Sequence, residues 1–247
     1  MTFDPFGDFK TRGYLRNLAN ESDRGIIRRL EHSSFTTGLG QAFAELAEAR
    51  AISYEHVLRT HKTLFEAVYP WAGQDRTQTA PDIAVVKGNV FFAHPADIRT
   101  AVDIALRDGC NGEFMTAKPG EVMGYLAYGH PFLDGNGRTI MVIHSVLAQR
   151  AGFSIYWAST DKTDYLAALT KELDAPGKGI LDEYLQPFIR DPIDYEGLAA
   201  AVVLAPGLDG NADGGDGLNR VLGKNSEPAV QAQYEAVVAK RKRIKDK

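Results

Sequence analysis

The chain has 247 residues, of which 44% are hydrophobic and 24% charged, with a formal net charge of −4. That length holds one substantial domain plus an appendage, and the balance is that of an ordinary water-soluble fold. A single cysteine, Cys110, excludes an internal disulfide and any cysteine-built metal centre, and the acidic balance argues against a general nucleic-acid binder.

The first ten residues carry Asp4 and Asp8 and no apolar stretch, so no secretory leader is expected. The longest apolar run, Leu198 to Ala205, is too short to span a bilayer. The expected location is the cytoplasm, or another cell after delivery.

Helical patterning then dominates. Gly40 to Arg50 is rich in good helix formers. Ser53 reads as the N-cap of a helix over Tyr54 to Tyr69, with Val57, Leu58, His61, Leu64, Phe65 and Val68 on one period and Pro70 as the stop. Ile83 to Ala93 breaks the pattern: two short β-branched or aromatic runs flank Lys-Gly-Asn, which predicts a hairpin. Helices follow over Pro95 to Asp108, Pro119 to Tyr128, Ile140 to Arg150, Lys162 to Leu173 and Ile180 to Ile189.

Gly207 to Gly217 packs five glycines and three aspartates into a stretch with no apolar period, which predicts a flexible linker. Asp209, Asn211, Asp213 and Gly214 match the first half of a calcium loop, but Arg220 stands where its last carboxylate belongs, so no calcium site is expected. The organisation expected is a body over 1–205 with its core at about 50–190, a linker over 206–220, and a basic helical tail over 221–247. The tail ends in six bases and one acid from Lys240 to Lys247 and is expected to be solvated.

The chemistry concentrates in His130 to Arg138, His-Pro-Phe-Leu-Asp-Gly-Asn-Gly-Arg. The stretch could be a surface turn, since Asp-Gly-Asn-Gly is rich in turn formers. As a site, it joins a histidine, a carboxylate, a side-chain amide and a guanidinium to a glycine-rich entry into a helix. Helix starts leave N–H groups unpaired and favour anions, and glycines at 135 and 137 let a phosphate approach them. Histidine titrates near neutral pH, so His130 suits removal of a hydroxyl proton. Asp134 offers the oxygen ligands Mg²⁺ prefers, Asn136 and the backbone of Gly135 and Gly137 can donate to phosphate oxygens, and Arg138 can fork onto outgoing phosphates. The other histidines, His32, His56, His61, His94 and His144, form no metal-ligand spacing and are expected to be core or surface residues.

This stretch resembles the signature of Fic-domain proteins, His-x-Phe-x-Asp/Glu-Gly-Asn-Gly-Arg-x-x-Arg. Leu64 to Thr77 resembles the family's segment ahead of the flap, and Val86 to Pro95 resembles the flap hairpin. The similarity spans about residues 10 to 190. It implies a mainly α fold, a helical bundle with a small β-hairpin flap over the active-site loop. It also implies a nucleotidyltransferase that moves AMP from ATP onto a Ser, Thr or Tyr hydroxyl of a target protein. His130 would be the base, Asp134 would hold Mg²⁺, and Asn136 and Arg138 would bind phosphates. The flap, around Lys87, Gly88 and Asn89, would grip the target segment as an added strand.

One position departs from the family's pattern. Met141 stands where a second arginine belongs and supplies neither charge nor donor. It is either a core residue of the helix or a sign of another diphosphate donor or of nucleotide binding without transfer. Related proteins are often restrained by a Ser/Thr-x-x-x-Glu-Gly/Asn helix; Glu196-Gly197 comes nearest here, with Pro192 in the hydroxyl position. That restraint is therefore expected to be absent, while a small antitoxin-like partner chain stays possible.

Overall fold

The computed structural model describes residues 15–87, 90–208 and 220–241. Helix α1 (Arg24–Glu48) opens where the Asp23 carboxylate accepts the Ile26 N–H, and it runs far beyond the expected Gly40–Arg50 stretch. Its weak helix formers around Phe35 are carried by tertiary packing, since Phe35, Leu39, Phe43 and Leu46 are all buried. Helix α2 (Tyr54–Phe65) starts at Ser53, whose backbone N–H is taken by the His56 ring at 3.1 Å. It ends a turn before Tyr69. The two helices cross so closely at Gly38 that a Cβ there would lie 2.6 Å from the Thr63 carbonyl oxygen.

A single helical turn, α3 (Arg76–Thr79), leads into the hairpin of β1 (Ile83–Lys87) and β2 (Val90–Phe91). A 3₁₀ turn over Pro95–Asp97 starts the next helix, α4 (Ile98–Gly109), and a short α5 (Gly112–Ala117) follows that the sequence did not suggest. The two central helices are α6 (Pro119–Gly129) and α7 (Asn136–Arg150). Every residue of α6 is buried apart from one partly exposed position, Glu121. Helix α6 packs on α4 and α7 packs on α1 and α2, so the loop joining them starts from the middle of the bundle, with His130 to Leu133 buried.

After α7 come β3 (Ser154–Ile155), α8 (Lys162–Asp174), α9 (Ile180–Leu185), β4 (Ile189–Arg190) and α10 (Tyr195–Val203). The helix expected to reach Ile189 stops at Leu185, and the chain leaves through a 3₁₀ turn containing Pro187, because Ile189 is drawn into antiparallel pairing with Ile155. The apolar run at Leu198–Ala205 is helix α10 and its exit, with Leu198 and Val202 buried. Among the described residues, no helix is long and apolar enough to cross a membrane.

The C-terminal region departs from the expectation of a solvated helix. Strand β5 (Arg220–Lys224) pairs with β1, giving a sheet of order β2-β1-β5, and α11 (Pro228–Ala239) follows. Val230 and Tyr234 of α11 are buried in a small cluster with Ala84, Val86 and Phe91. Arg241, expected in the mobile tail, is buried: it donates to the Leu173 carbonyl at 2.6 Å and lies 3.7 Å over the Tyr128 ring. Residues 209–219, with the calcium-like stretch, and 242–247 lie outside the described residues.

Candidate functional site

The loop from His130 to Gly135 runs between two helix ends. His130 ends α6 in the left-handed region (φ 43°), and Gly135 caps α7 in the same region (φ 75°). A Cβ on Gly135 would lie 2.5 Å from the Phe65 ring, so both backbone and space require glycine. Helix α7 begins at Asn136, earlier than the apolar run alone suggests. The N–H groups of its first turn therefore belong to Asn136, Gly137 and Arg138, with no preceding carbonyls to bind within the helix. Gly137 has open space where its Cβ would be.

Asn136 is buried and holds the loop in shape. Its Oδ1 accepts the Phe132 N–H at 2.9 Å, and its Nδ2 donates to the Phe132 carbonyl at 2.7 Å. These two bonds fix which end of the amide is nitrogen. The other Nδ2 hydrogen points to His130 Nε2 at 3.1 Å, so in the neutral ring Nε2 is the acceptor and Nδ1 carries the proton. Phe92, immediately after β2, stacks on the imidazole at 3.6 Å with nearly parallel planes. His130 is thus held on one face by the flap and at one nitrogen by the loop, and it is only 7% exposed.

Two residues outside the loop build its floor. Arg76 is fully buried and donates to the carbonyls of His130 and Ala93, each at 2.8 Å, and to that of Gly129 at 3.4 Å. Its own backbone N–H donates to the Pro131 carbonyl at 2.7 Å. Arg76 therefore closes the C-terminal end of α6, where carbonyls lack helical partners and the dipole favours a cation. Burial pulls its pKa down to about 10. His61 accepts the Gly73 N–H at Nδ1, so its Nε2 carries the hydrogen and donates to the Asp134 carbonyl at 3.0 Å. Its ring stacks on Phe132 at 3.7 Å, and burial lowers its pKa to about 3. It is the core histidine the spacing suggested, and it props up the motif loop.

Arg138 is turned into the protein. It donates to Glu31 of α1 at 3.0 Å, lies 3.8 Å from Asp134, and sits 4.6 Å over the Phe65 ring. Glu31 is buried and also accepts the Tyr69 hydroxyl. Burial raises the Glu31 pKa, against the lowering pull of Arg138. Burial works against the Arg138 charge, but Glu31 and Asp134 outweigh it, and the guanidinium remains cationic with a raised pKa.

Asp134 is half exposed (45%), with Oδ1 accepting the Gly135 N–H at 2.6 Å. One bonded oxygen and a solvent-facing carboxylate suit a Mg²⁺ ion that takes its remaining ligands from water and phosphate. Among the described residues there is no group of three or more His, Cys, Asp or Glu that could cage a metal. Met141 is 7% exposed and belongs to the main core. Of the flap positions, Gly88 and Asn89 and the side chain of Lys87 lie outside the described residues. The loop residues His130, Asp134, Gly135, Asn136, Gly137 and Arg138 are brought together. Glu31, His61 and Arg76 were not singled out for the site from the sequence: they act from other segments, two of them on backbone carbonyls, which no spacing rule reports.

Fold and site together define a helical bundle whose histidine loop feeds a glycine-capped helix under a β-hairpin. Residues 51–148 match the Fic/DOC family, and the chain is a Fic-domain protein. It is 30% identical over 174 residues to protein adenylyltransferase VbhT of Bartonella schoenbuchensis, covering 67% of this chain but only 35% of that one, so it spans about a third of that relative. It is 26% identical over 166 residues to the probable protein adenylyltransferase y4lH of Sinorhizobium fredii, covering 64% and 82% of the two chains.

Solved structures agree on the fold. The N-terminal Fic domain of a Bartonella quintana effector with bound ADP matches with a TM-score of 0.63 at 18% identity, over 76% of this chain and 96% of that one. BepC of Bartonella tribocorum with bound AMPPNP matches at 0.59 and 15% identity, over 74% and 96%.

Proposed function

We propose that this chain transfers the AMP part of ATP to a Ser, Thr or Tyr hydroxyl of a target protein. The observation that carries the reading is His130, held at Nε2 by Asn136 and on its face by Phe92, beside a helix start that offers backbone N–H groups. The hydroxyl oxygen attacks the α-phosphorus, the bond to the β-phosphate oxygen breaks, and pyrophosphate leaves. The hydroxyl proton passes to His130 Nε2, taking the place of the Asn136 N–H that engages this lone pair in the free chain. The N–H groups of Asn136, Gly137 and Arg138 at the start of α7 stabilise the charge that builds on the phosphate oxygens, and the Arg138 side chain meets the departing phosphates. Asp134 would hold Mg²⁺, which neutralises phosphate charge when bound.

Two relatives named as adenylyltransferases and two neighbours holding ADP or AMPPNP support the nucleotide. Arg138 reaches a phosphate by exchanging Glu31 for it, so anionic ligand and buried carboxylate compete for one guanidinium. A small antitoxin-like partner acting on the same arginine is compatible with this arrangement, as is action in the cytoplasm or in another cell after delivery.

A second reading has its own observation. Met141 is packed in the core, and Arg138 is already paired. A loop so arranged suits a module that binds nucleotide with little transfer, or an enzyme using another diphosphate donor.

Intact-mass analysis after incubation with Mg²⁺ and ATP, GTP, CTP, UTP or CDP-choline separates these readings. Transfer predicts a gain of one donor-derived group, with ATP the expected donor, that disappears in His130→Ala. No gain with any donor, while calorimetry registers ATP binding, would favour the binding module; no binding would end the nucleotide reading.

A further inference from the structure

Strand β1 is hydrogen-bonded on both of its edges. β2 takes one, with Val86 opposite Phe91 and Lys87 opposite Val90. Residues 220–224 take the other, antiparallel, from Ile83 opposite Lys224 to Val86 opposite Arg220. A hairpin alone leaves such an edge bare, and a bare edge is what an extended peptide pairs with. Here the chain's own C-terminal segment has filled it.

The filling is fastened from both backbone and side chains. The Asn225 N–H donates to the Asp82 carbonyl at 2.9 Å, its side-chain amide donates to the Pro81 carbonyl at 2.8 Å, and the Tyr234 hydroxyl donates to Asn225 Oδ1 at 2.9 Å. Tyr234 then stands edge-on to Phe91 at 4.4 Å and to His94 at 4.8 Å. Helix α11 thus closes over the face of the sheet that β5 extends. That sheet is tied to the reacting histidine, because β2 runs directly into Phe92 on the His130 ring.

The strand's composition adds a second observation. Arg-Val-Leu-Gly-Lys contains no hydroxyl, and the first one after it is Ser226, beyond the strand. The segment satisfies the edge without presenting an acceptor.

We propose that Arg220–Lys224 is a built-in occupant of the flap edge at which a target segment docks, and that Asn225 and α11 are its latch. The proposal rests on the transferase reading of the same site. An extended segment bearing a hydroxyl pairs with β1 by displacing β5. One ladder of backbone hydrogen bonds replaces another, so the exchange is governed by the latch contacts that are lost.

Strand exchange in the full chain tests this without reading transfer. A fluorescent peptide Arg-Val-Leu-Gly-Lys-Asn-Ser is titrated into the parent, Asn225→Ala, the milder Tyr234→Phe, and Ile83→Cys/Lys224→Cys in a Cys110→Ala background. The last pair sits opposite across β1 and β5, where a disulfide would lock the occupant in place.

Asn225→Ala and Tyr234→Phe are expected to bind the peptide at least tenfold and severalfold more tightly than the parent. The oxidised double-cysteine chain is expected to bind none, and reduction to restore binding. Equal binding to all chains, or none to either loosened variant while circular dichroism reports them folded, overturns the proposal. ATP affinity, measured on the same samples, is expected to match the parent. Failure of strand exchange speaks against the latch alone, and failure of transfer in the mass assay speaks against the function alone.

Discussion

The two glycines of the motif do different work, and substituting each by alanine separates folding from ligand approach. Gly135 has a positive φ and faces the Phe65 ring at a distance no Cβ tolerates. Gly135→Ala is expected to destabilise the chain by about 1–3 kcal/mol and to displace the loop beneath His130. Gly137 has room for a Cβ and lies in the first turn of a helix, where alanine is the better former. Gly137→Ala is expected to keep or slightly raise stability while weakening nucleotide binding several-fold, because a methyl group then stands where a phosphate meets the N–H groups. Urea unfolding together with ATP calorimetry on both variants checks this. Equal loss of ATP affinity with no difference in stability would contradict it. The sequence alone announced both as site glycines; only the packing tells them apart.

Among elements, the junction of α6, α3 and the hairpin decides whether the site exists. Three carbonyls, those of Ala93, Gly129 and His130, converge on the Arg76 side chain. Removing it strands buried acceptors that each cost roughly 1–3 kcal/mol when unpaired. Arg76→Met is therefore expected to lower unfolding free energy by about 3 kcal/mol or more in urea titration. Arg76→Lys, which keeps charge but not the fork, is expected to fall between. A loss below about 1 kcal/mol for Arg76→Met would mean these bonds are not what holds the end of α6.

This element also marks what was legible from the residues. Ser53, the β-branched run from Ile83, and Pro119 announced their elements because caps and short β-branched runs leave local signatures. Glu31 lies 107 residues from Arg138, and β5 lies well over a hundred from β1. Arg-Val-Leu-Gly-Lys is as long as β1 but lacks strand alternation and carries a glycine, so its structure comes from the edge it fills. A pattern confined to neighbouring residues carries no trace of such a pairing.

At the scale of the whole molecule, burial of two neutral histidines makes the fold sensitive to acid. His61 and His144 have pKa values lowered to about 3 and about 4, chiefly by burial, against an ordinary value of 6.5. Between those values and 6.5 the unfolded chain binds protons that the folded chain does not. Unfolding free energy therefore rises with pH across that window and falls as pH drops through it. Each histidine contributes a slope approaching about 1.4 kcal/mol per pH unit in the part of the window where the two states differ by a whole proton.

The two residues divide between site and scaffold. His61 donates to the Asp134 carbonyl under the motif loop, whereas His144 donates to the Pro119 carbonyl at the start of α6. His144→Gln can keep a donor to that carbonyl without a titrating ring, so it is expected to reduce the slope between pH 6 and pH 4.5 by up to half while leaving ATP affinity at pH 7.5 unchanged. His61→Gln is expected to flatten the same slope and also to weaken ATP binding, because the loop loses the ring that stacks on Phe132. Urea titrations at pH 7.5, 6.0, 5.25 and 4.5, with calorimetry at pH 7.5, read both effects. An unchanged slope in His144→Gln would place the acid sensitivity in other groups and leave the buried neutral imidazole without a part in it.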